Sequence, residues 1–497
     1  MGRTRSRAIT ATVFILGLPL TSSAGPLRMT GHDAAAMGQG GGEVAWGHGL
    51  GVMYSNPALL VDVDEGFAVG FSFVQPWMQV ELMDRPVNAD VPITFYDSDV
   101  GLAGSNLERP LPTSELRVPR RDNQVEPFHA YLSIGFAHSL GIEDFRLGLN
   151  VLVPTSGLVD IASQYPDERE QFFSNTVHLS RFGEWSKVLS LFFGAAYQPV
   201  EWLSVGAAVE GGLSVGATLD MYIPEATVQD FALVNAAFDA TPTARAIVGV
   251  VGRPLPWLSI GLTWRDRRYS KIDADAMLNL WNYHEPGDQT EPKRVTQQHL
   301  LALDFEPMEV GLALGARFDA LFGQLCLTWN HWSDFIDTHH KRAQENAVWQ
   351  QGAEPDDSYA WSDTYALTLG LGYEYLAGLT VTAGGGWRPT PVPVQDGRTN
   401  YADADLFNAA VGHRADIDLW GHVLRVEAAL QFWFMGETTV HKDPEQIKDE
   451  FPDEARTLIG GQPMPEAAGL QTNNPGFPGY TFGGWALAGS LTVAYLF

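Results

Sequence analysis

The sequence has a single cysteine among its 497 residues, and this scarcity excludes two kinds of stabilisation. Cys326 has no partner for an intramolecular disulfide, and one thiolate does not build a cysteine-ligated metal cluster. Basic residues are also few, because 31 Lys and Arg stand against 59 Asp and Glu and leave a formal net charge of −28. Binding to nucleic acid requires basic patches, so an acidic balance of this size argues against nucleic acid as a partner.

Long hydrophobic runs are also missing from most of the chain. After residue 24 there is no stretch of about 18 apolar residues, so no transmembrane helix is predicted. Before that point, three arginines, an apolar stretch over residues 8–20 and a small-residue cleavage site follow one another. This order predicts a secretory signal peptide over residues 1–24.

Motifs that bind cofactors or metals are absent as well. The sequence contains no P-loop, no H-E-x-x-H pair and no dinucleotide fingerprint between a strand and a helix, so no cofactor and no metal site is predicted. Residues 212–216 match G-x-S-x-G, but the motif requires a strand–turn–helix elbow and here continues a strand pattern. We therefore predict that the protein is not an enzyme.

What the sequence does contain is alternation with a period of two residues. Apolar side chains at every second position are separated by small or polar ones, as at Leu132, Ile134, Phe136, Leu203, Val205, Leu367, Leu369 and Leu371. The apolar face points into the core of a soluble sandwich but towards lipid in a membrane barrel. Alternation alone leaves both architectures open.

The last residues favour the barrel. Leu491, Val493, Tyr495 and Phe497 share one face of a strand that ends on an aromatic residue. A terminal strand of this kind can pair with the first strand to close a sheet and remove both edges. It also resembles the assembly signal of bacterial outer-membrane barrels.

Short turns and long polar stretches alternate along the rest of the chain, as they do in such barrels. We predict an all-β fold, a transmembrane antiparallel β-barrel of about 14 strands over residues 66–497, with long extracellular loops. The long polar stretches include residues 214–242 and 270–296. Residues 25–65 alternate little and are rich in Gly and Ala, yet their apolar content argues against disorder. They predict an N-terminal plug inside the lumen.

Two stretches within the plug carry a family resemblance. Residues 34–42 (AAAMGQGGG) and 54–59 (YSNPAL) resemble the N-terminal hatch of the FadL family of outer-membrane transport proteins, and Asn56, Pro57 and Ala58 match its hatch motif. Further similar pieces follow in the expected order, at 148–154, 256–264, 329–335, 387–393 and 400–405.

The resemblance implies a monomeric, fourteen-stranded barrel in the outer membrane of a Gram-negative bacterium, surrounded by outer-membrane lipid and inserted by the barrel assembly machinery. Members of the family carry long-chain fatty acids or aromatic hydrocarbons. The substrate is caught in a groove between outer loops and passes to a site in the lumen. A rearrangement of the hatch then lets it leave sideways through a gap in the wall.

By strand phase, four arginines of the predicted barrel face the lumen, namely Arg265, Arg317, Arg388 and Arg425, and the first three are predicted to contact the substrate. A guanidinium there can hold the carboxylate of a fatty acid. Glu210, Glu374 and Glu427 are also predicted to face inward, and structural ion pairs are the alternative interpretation.

Two apolar clusters lie in stretches predicted as outer loops. Residues 225–240 allow a short amphipathic helix that presents Phe231, Val234 and Phe238 at steps of three and four. Leu278 and Trp281 belong to the second cluster. Together they predict the outer groove, with ordinary loop packing as the alternative.

We therefore expect facilitated uptake of a hydrophobic small molecule, in the first place a long-chain fatty acid. Uptake of an aromatic hydrocarbon or another lipid by the same fold remains open. So do a general porin, which requires a lumen without a plug, an outer-membrane enzyme such as a lipase, and an adhesin or receptor acting through acidic loops.

Overall fold

The computed structural model describes residues 27–84, 86, 128–155, 177–179, 190–223, 233–280, 293–335, 360–397, 399–447, 449, 469–470, 472, 474 and 476–497. The predicted signal peptide lies outside these residues. None of the helices within them is both long enough and apolar enough to cross a membrane.

Short helices open the described chain and strands make up most of the rest. The helices are α1 (Leu27–Thr30), α2 (Ala34–Gly38) and α3 (Val52–Ser55), followed by a 3-10 helix at Pro57–Asp62 and a later one at Trp332–Asp334. The strands are β1 (Gly66–Leu82), β2 (His129–His138), β3 (Phe145–Pro154), β4 (His178–Leu179), β5 (Ser190–Val200), β6 (Leu203–Ile223), β7 (Leu233–Leu255), β8 (Leu258–Arg265), β9 (Arg268–Leu280), β10 (Lys293–Glu306), β11 (Glu309–Phe318), β12 (Leu321–Asn330), β13 (Thr364–Leu376), β14 (Leu379–Arg388), β15 (Tyr401–Ala402), β16 (Leu406–Leu419), β17 (His422–His441) and β18 (Gly479–Leu496).

Sixteen of these strands form one hydrogen-bonded sheet, and the sheet closes on itself. The first and last strands pair antiparallel from Gly66 opposite Leu496 to Leu82 opposite Tyr480. The ring is completed by pairing between β6 and β7. The β9–β10 hairpin lies outside the ring, with β9 parallel to β6. Sixteen strands less these two leave fourteen, so the predicted closed antiparallel barrel is confirmed.

The two faces of the wall differ as the alternation predicts. On β13, Leu367, Leu369 and Leu371 are 41 to 47% exposed, whereas the intervening Thr368 is 6% exposed. The apolar face therefore points away from the interior, which excludes the soluble sandwich. Lipid covers such a surface in a membrane barrel.

Chain connections divide the barrel into two ends. Short turns join β5 to β6, β7 to β8, β11 to β12, β13 to β14 and β16 to β17, and Gly66 and Leu496 lie at the same end. We call this the short-turn end. The opposite, long-loop end carries the long connections. Such barrels place short turns in the periplasm and long loops outside the cell.

Two predicted loops are wrong. Most of 214–242 belongs to β6 and β7, which stay paired as far as Tyr222 opposite Leu233, and most of 270–296 belongs to β9 and β10. Backbone pairing does not itself require apolar alternation, so these strands continue where the alternation has ended. The G-x-S-x-G match lies inside β6.

The prediction of an amphipathic helix over residues 225–240 is also wrong for the residues that the structure describes. Residues 233–240 belong to β7, because cross-strand pairing with β6 overrides a local period of three to four residues. Residues 224–232 lie outside the described part of the chain.

Candidate functional site

The N-terminal segment, residues 27–65, lies in the lumen. Wall glycines allow its close approach, because its atoms occupy the space that a Cβ would take at Gly135, Gly148, Gly194, Gly206, Gly249, Gly261, Gly315, Gly370, Gly384 and Gly412. These glycines belong to ten strands spread around the ring. A segment that touches all of them is enclosed by the wall, and Met37, Met53 and Leu59 within it are 0% exposed.

Asn56 holds the segment to itself and to the wall. Its Nδ2 donates to the carbonyl oxygen of Val44 at 2.7 Å and to that of Val250 on β7 at 3.4 Å. Its Oδ1 accepts from the Ala58 N–H at 3.1 Å, which caps the 3-10 helix. Pro57 takes the first helical position, where a missing N–H costs nothing. The triplet therefore forms a rigid, buried turn.

Where Arg28 of this segment meets the wall, charged side chains form a cluster that we call the charged layer: Arg28, Glu210, Arg245, Arg265, Arg268, Glu306 and Glu309. In its first half, Glu309 pairs with Arg28 of the N-terminal segment and, at 2.7 Å, with Arg265. The Arg265 guanidinium also lies 3.7 Å from the centre of the Tyr54 ring.

The second half of the charged layer is centred on Arg245. It pairs with Glu210 and with Glu306, each at 2.5 Å. Glu210 also accepts from Ser190 at 2.8 Å and pairs with Arg268. All of these charged side chains are at most 5% exposed.

The charged layer carries one more positive than negative charge, with four arginines against three glutamates. Among the described residues, Nε of Arg265 and both Nε and Nη2 of Arg268 are buried and have no hydrogen-bond partner. Guanidinium groups with free donors bind carboxylates strongly in a dry site. The layer is therefore suited to an anionic head group.

Neutral rings of the N-terminal segment lie beneath the charged layer. The rings of His32 and Tyr54 are 3.8 Å apart. Burial lowers the pKa of His32 to about 3 and raises the pKa of Tyr54 to about 12. Both groups are therefore uncharged near neutral pH.

Beside the charged layer, five rings form what we call the aromatic cluster: Phe305, Trp332, Phe335, Trp361 and Tyr401. Neighbouring ring centres are 3.6 to 6.0 Å apart. The Arg28 guanidinium lies 5.4 Å from the centre of the Trp332 ring and so joins the cluster to the charged layer. An apolar surface thus adjoins a cluster with more arginines than glutamates.

The three arginines predicted to contact substrate are not brought together. Arg265 lies in the charged layer. Arg317 lies at the short-turn end, 3.8 Å from Glu374, with its guanidinium 5.5 Å from the Trp46 ring. Arg388 ends β14 at the long-loop end, 6.0 Å from the Trp433 ring. Of the three, Arg265 therefore belongs to the charged layer, and Arg388 interacts electrostatically with Glu309 of that layer.

The predicted groove residues are only partly described. Phe231 and Trp281 lie outside the described residues. Val234 and Phe238 lie on β7 and Leu278 on β9, in the part of the sheet beyond the closed ring. Their contact with a substrate stays a prediction.

Sequence reasoning missed most of the charged layer and of the aromatic cluster. Arg245 lies in phase with buried Ile247 and Val251, a signal that was available in the sequence just after the predicted loop over 214–242. Trp332 and Phe335 stood in a family-like stretch, but no pattern links them to Trp361. Their convergence depends on which strands become neighbours.

Comparisons with known proteins agree with this architecture. A family model described as outer membrane protein transport protein (OMPP1/FadL/TodX) matches residues 21–457. The crystal structure of a Pseudomonas aeruginosa FadL homologue is 14% identical, with a TM-score of 0.53 over 96% of this chain and 99% of that one. A TodX deltaS2S3 mutant monoaromatic hydrocarbon channel is 13% identical, with a TM-score of 0.52 over 95% and 100%. At these identities the two structures establish only that the fold is shared. No curated protein matches the chain.

Proposed function

The chain belongs to the OMPP1/FadL/TodX family of outer-membrane transport proteins, and we propose that the hydrophobic compound it carries is a long-chain fatty acid. Membership makes it a β-barrel of the Gram-negative outer membrane and a transporter of hydrophobic compounds. Members of this family are transport channels rather than enzymes. The proposal concerns the choice of compound and the residues that handle it.

The observation that supports a fatty acid is the contact between the charged layer and the aromatic cluster. A fatty acid has one carboxylate and a long apolar tail, and both find complementary surfaces here. The carboxylate meets the spare donors of Arg265 and Arg268. The tail packs on the rings next to Trp332, and burial of each CH₂ contributes about 0.8 kcal/mol.

The aromatic cluster by itself favours a second candidate. A monoaromatic hydrocarbon has no charge and stacks on rings such as those of Phe335 and Trp361. It makes no use of the four arginines. A general porin is disfavoured, since the N-terminal segment occupies the lumen that polar solutes require.

We further propose that the N-terminal segment is a hatch that moves during transport, with Asn56, Pro57 and Ala58 as its latch. The outer groove at Phe231, Val234, Phe238, Leu278 and Trp281 is proposed as the place of first capture. Arg317 and Arg388 remain proposed contacts at the two ends of the lumen.

The test is uptake by cells that lack their own transporter, with a labelled long-chain fatty acid and toluene as parallel substrates. The double variant R265Q/R268Q is expected to take up the fatty acid at least about tenfold more slowly, because hydrogen bonds to a charged group contribute about 1.5–3 kcal/mol. Toluene uptake is expected to stay the same. R267Q is the matched control, since Arg267 neighbours Arg268 in sequence but its side chain is 49% exposed and pairs with Asp334 outside the charged layer.

Equal surface amounts and heat-modifiable gel mobility check that each variant folds. Unchanged fatty-acid uptake by the double variant contradicts the carboxylate site. Uptake of toluene without fatty acid makes the aromatic hydrocarbon the cargo. Entry of small polar solutes alone supports the porin. Replacing Asn56, Pro57 and Ala58 together is expected to abolish uptake of the true cargo.

A further inference from the structure

A buried lysine directly follows β17 at the long-loop end, and backbone carbonyl groups surround its ammonium. Lys442 is 6% exposed. Its Nζ donates to the carbonyl oxygens of Gln395 at 2.6 Å, Gly397 at 2.8 Å and Thr399 at 2.6 Å. Three acceptors match the three N–H donors of an ammonium group. We call these four residues the lysine clasp.

The carbonyl groups, and not a salt bridge, compensate the charge of Lys442. Among the described residues no carboxylate forms a salt bridge with it, although Asp396 attracts it at longer range. The ring centre of Tyr480 lies 5.6 Å from Nζ and adds a cation–π contact. Burial lowers the pKa of Lys442 to about 7, so the ammonium form predominates below that pH. A buried charge is costly unless it is hydrogen-bonded, and the clasp supplies those bonds.

The carbonyl groups of the clasp belong to the connection between β14 and β16, residues 389–405. Two further hydrogen bonds join this connection to neighbouring parts of the long-loop end. The Asp443 N–H donates to the Asp396 carbonyl oxygen at 2.8 Å. The Asn400 side chain donates to Oδ1 of Asn474 at 2.8 Å. The connection is therefore held from outside itself, chiefly from the end of β17.

The stretch held by Lys442 leads directly into Tyr401 of the aromatic cluster. The Gln395 side chain accepts from the Tyr401 N–H at 3.1 Å and from the Thr399 hydroxyl at 2.8 Å. Tyr401 is 2% exposed, and its ring packs edge-on against Phe335 at 5.7 Å and Trp361 at 5.3 Å. A displacement of Gln395 would therefore also displace a ring of the aromatic cluster.

We propose that Lys442 is a positioning residue for transport, which holds residues 395–397 and 399–402 against the aromatic cluster and so keeps the Tyr401 ring in place. Lys442 acts through backbone carbonyl groups and does not touch the cargo. The inference rests on the proposed role of the aromatic cluster. It does not depend on the choice between a fatty acid and an aromatic hydrocarbon, because both pack on the rings.

The clasp is tested first without any cargo, by hydrogen exchange at pH 6, where Lys442 is charged. K442M keeps an apolar stem of similar length and removes the three donors. The protection of residues 395–397 and 399–402 is expected to fall at least about tenfold, because hydrogen bonds to charged groups are strong. H441M is the matched control, since the neighbouring His441 is exposed. Wild-type protection in a folded K442M barrel overturns the clasp.

Chemical rescue separates the hydrogen bonds from simple filling of space. K442A removes the stem and the ammonium together, and n-propylammonium replaces the atoms that are lost. It is expected to restore the protection of residues 395–397 and 399–402 in K442A. Tetramethylammonium carries the same charge without any N–H donor and is expected to restore nothing. Equal effects of the two cations overturn the role of the donors.

Transport is tested by measuring uptake by K442M over a range of cargo concentrations. The half-saturating concentration is expected to rise at least about threefold, as for the loss of one aromatic contact. H441M is expected to transport normally. Unchanged uptake by K442M despite lost protection overturns the positioning role. If R265Q/R268Q takes up fatty acid normally while K442M is impaired with toluene, the role of Lys442 stands and the fatty-acid assignment falls.

Discussion

At the scale of single residues, the lumen is shaped by buried charges that compensate one another. Taking an isolated carboxylate or guanidinium out of water costs several kcal/mol, so each member of the charged layer needs its partner. Glu309 satisfies both Arg28 and Arg265, and Arg245 lies between Glu210 and Glu306. Replacement of one glutamate would leave a buried arginine without its partner. It would also weaken the packing of the N-terminal segment, which carries Arg28, against the wall.

His32 gives the N-terminal segment a dependence on pH. Burial lowers its pKa from 6.5 to about 3, so the released segment binds a proton more readily than the seated one. Above pH 6.5 His32 is neutral in both states and does not weaken the packing of the segment in the barrel. As the pH falls from 6.5 towards 3, protonation of the released segment weakens this packing. Burial raises the pKa of Asp33 and Glu43, and these carboxyls act in the opposite direction.

Comparison with H32F isolates this effect, because phenylalanine keeps the stacking on Tyr54 and does not titrate. After correction for the intrinsic pH dependence of amide exchange, the protection factors of residues 27–65 are expected to fall more in the wild type than in H32F between pH 6.5 and 4. The same loss of protection in both proteins would show that His32 is not the titrating group.

At the scale of elements, glycine positions decide how closely the N-terminal segment approaches the wall. On β7, a Cβ at Gly249 would overlap Oδ1 of Asn56, whereas a Cβ at Gly252 would meet nothing within 4 Å. The two positions lie on one strand and undergo the same change in backbone freedom. They differ only in the atoms that a new Cβ would meet.

G249A is therefore expected to displace the Asn56–Pro57 turn, at a cost of about 1–3 kcal/mol for overpacking. G252A is expected to behave like the wild type. Hydrogen exchange of residues 52–62 measures how far this part of the segment has lost its packing against the wall, and uptake of the cargo measures the effect on transport. Equal effects of the two substitutions would contradict the close approach of Asn56 to β7.

At the scale of the whole molecule, closure of the ring and the apolar outer face together suit a lipid environment. Closure leaves no unpaired edge within the described barrel strands, and the Phe497 N–H donates to the Glu65 carbonyl at 3.1 Å beside the seam. We expect the protein to act as a monomer and to be inserted by the barrel assembly machinery.

Position along the membrane normal sets the cost of a charge on the outer face. Leu369 lies near the middle of β13 and is 47% exposed, and Leu376 ends that strand and is 61% exposed. L369R is expected to destabilise the folded barrel by about 2–4 kcal/mol and L376R by about 0–1 kcal/mol. Urea titration in lipid vesicles measures both, and equal costs would mean that Leu369 does not face the membrane core.

The wall of the barrel could be predicted from the sequence alone. Period-two alternation is imposed residue by residue, because each side chain faces either lipid or lumen. It predicted about 14 strands and the inward phase of Arg265, and the terminal aromatic strand decided for the barrel. The alternation failed at β6, β7, β9 and β10, whose backbone pairing continues where it has ended.

The residues that meet in the lumen could not be predicted without the tertiary structure. Arg28, Arg245, Glu309 and Trp361 come from distant parts of the chain, and they meet because the ring closes and the N-terminal segment enters it. Such convergence leaves no local periodicity, since the energy that selects these residues comes from partners across the barrel and not from neighbours in sequence.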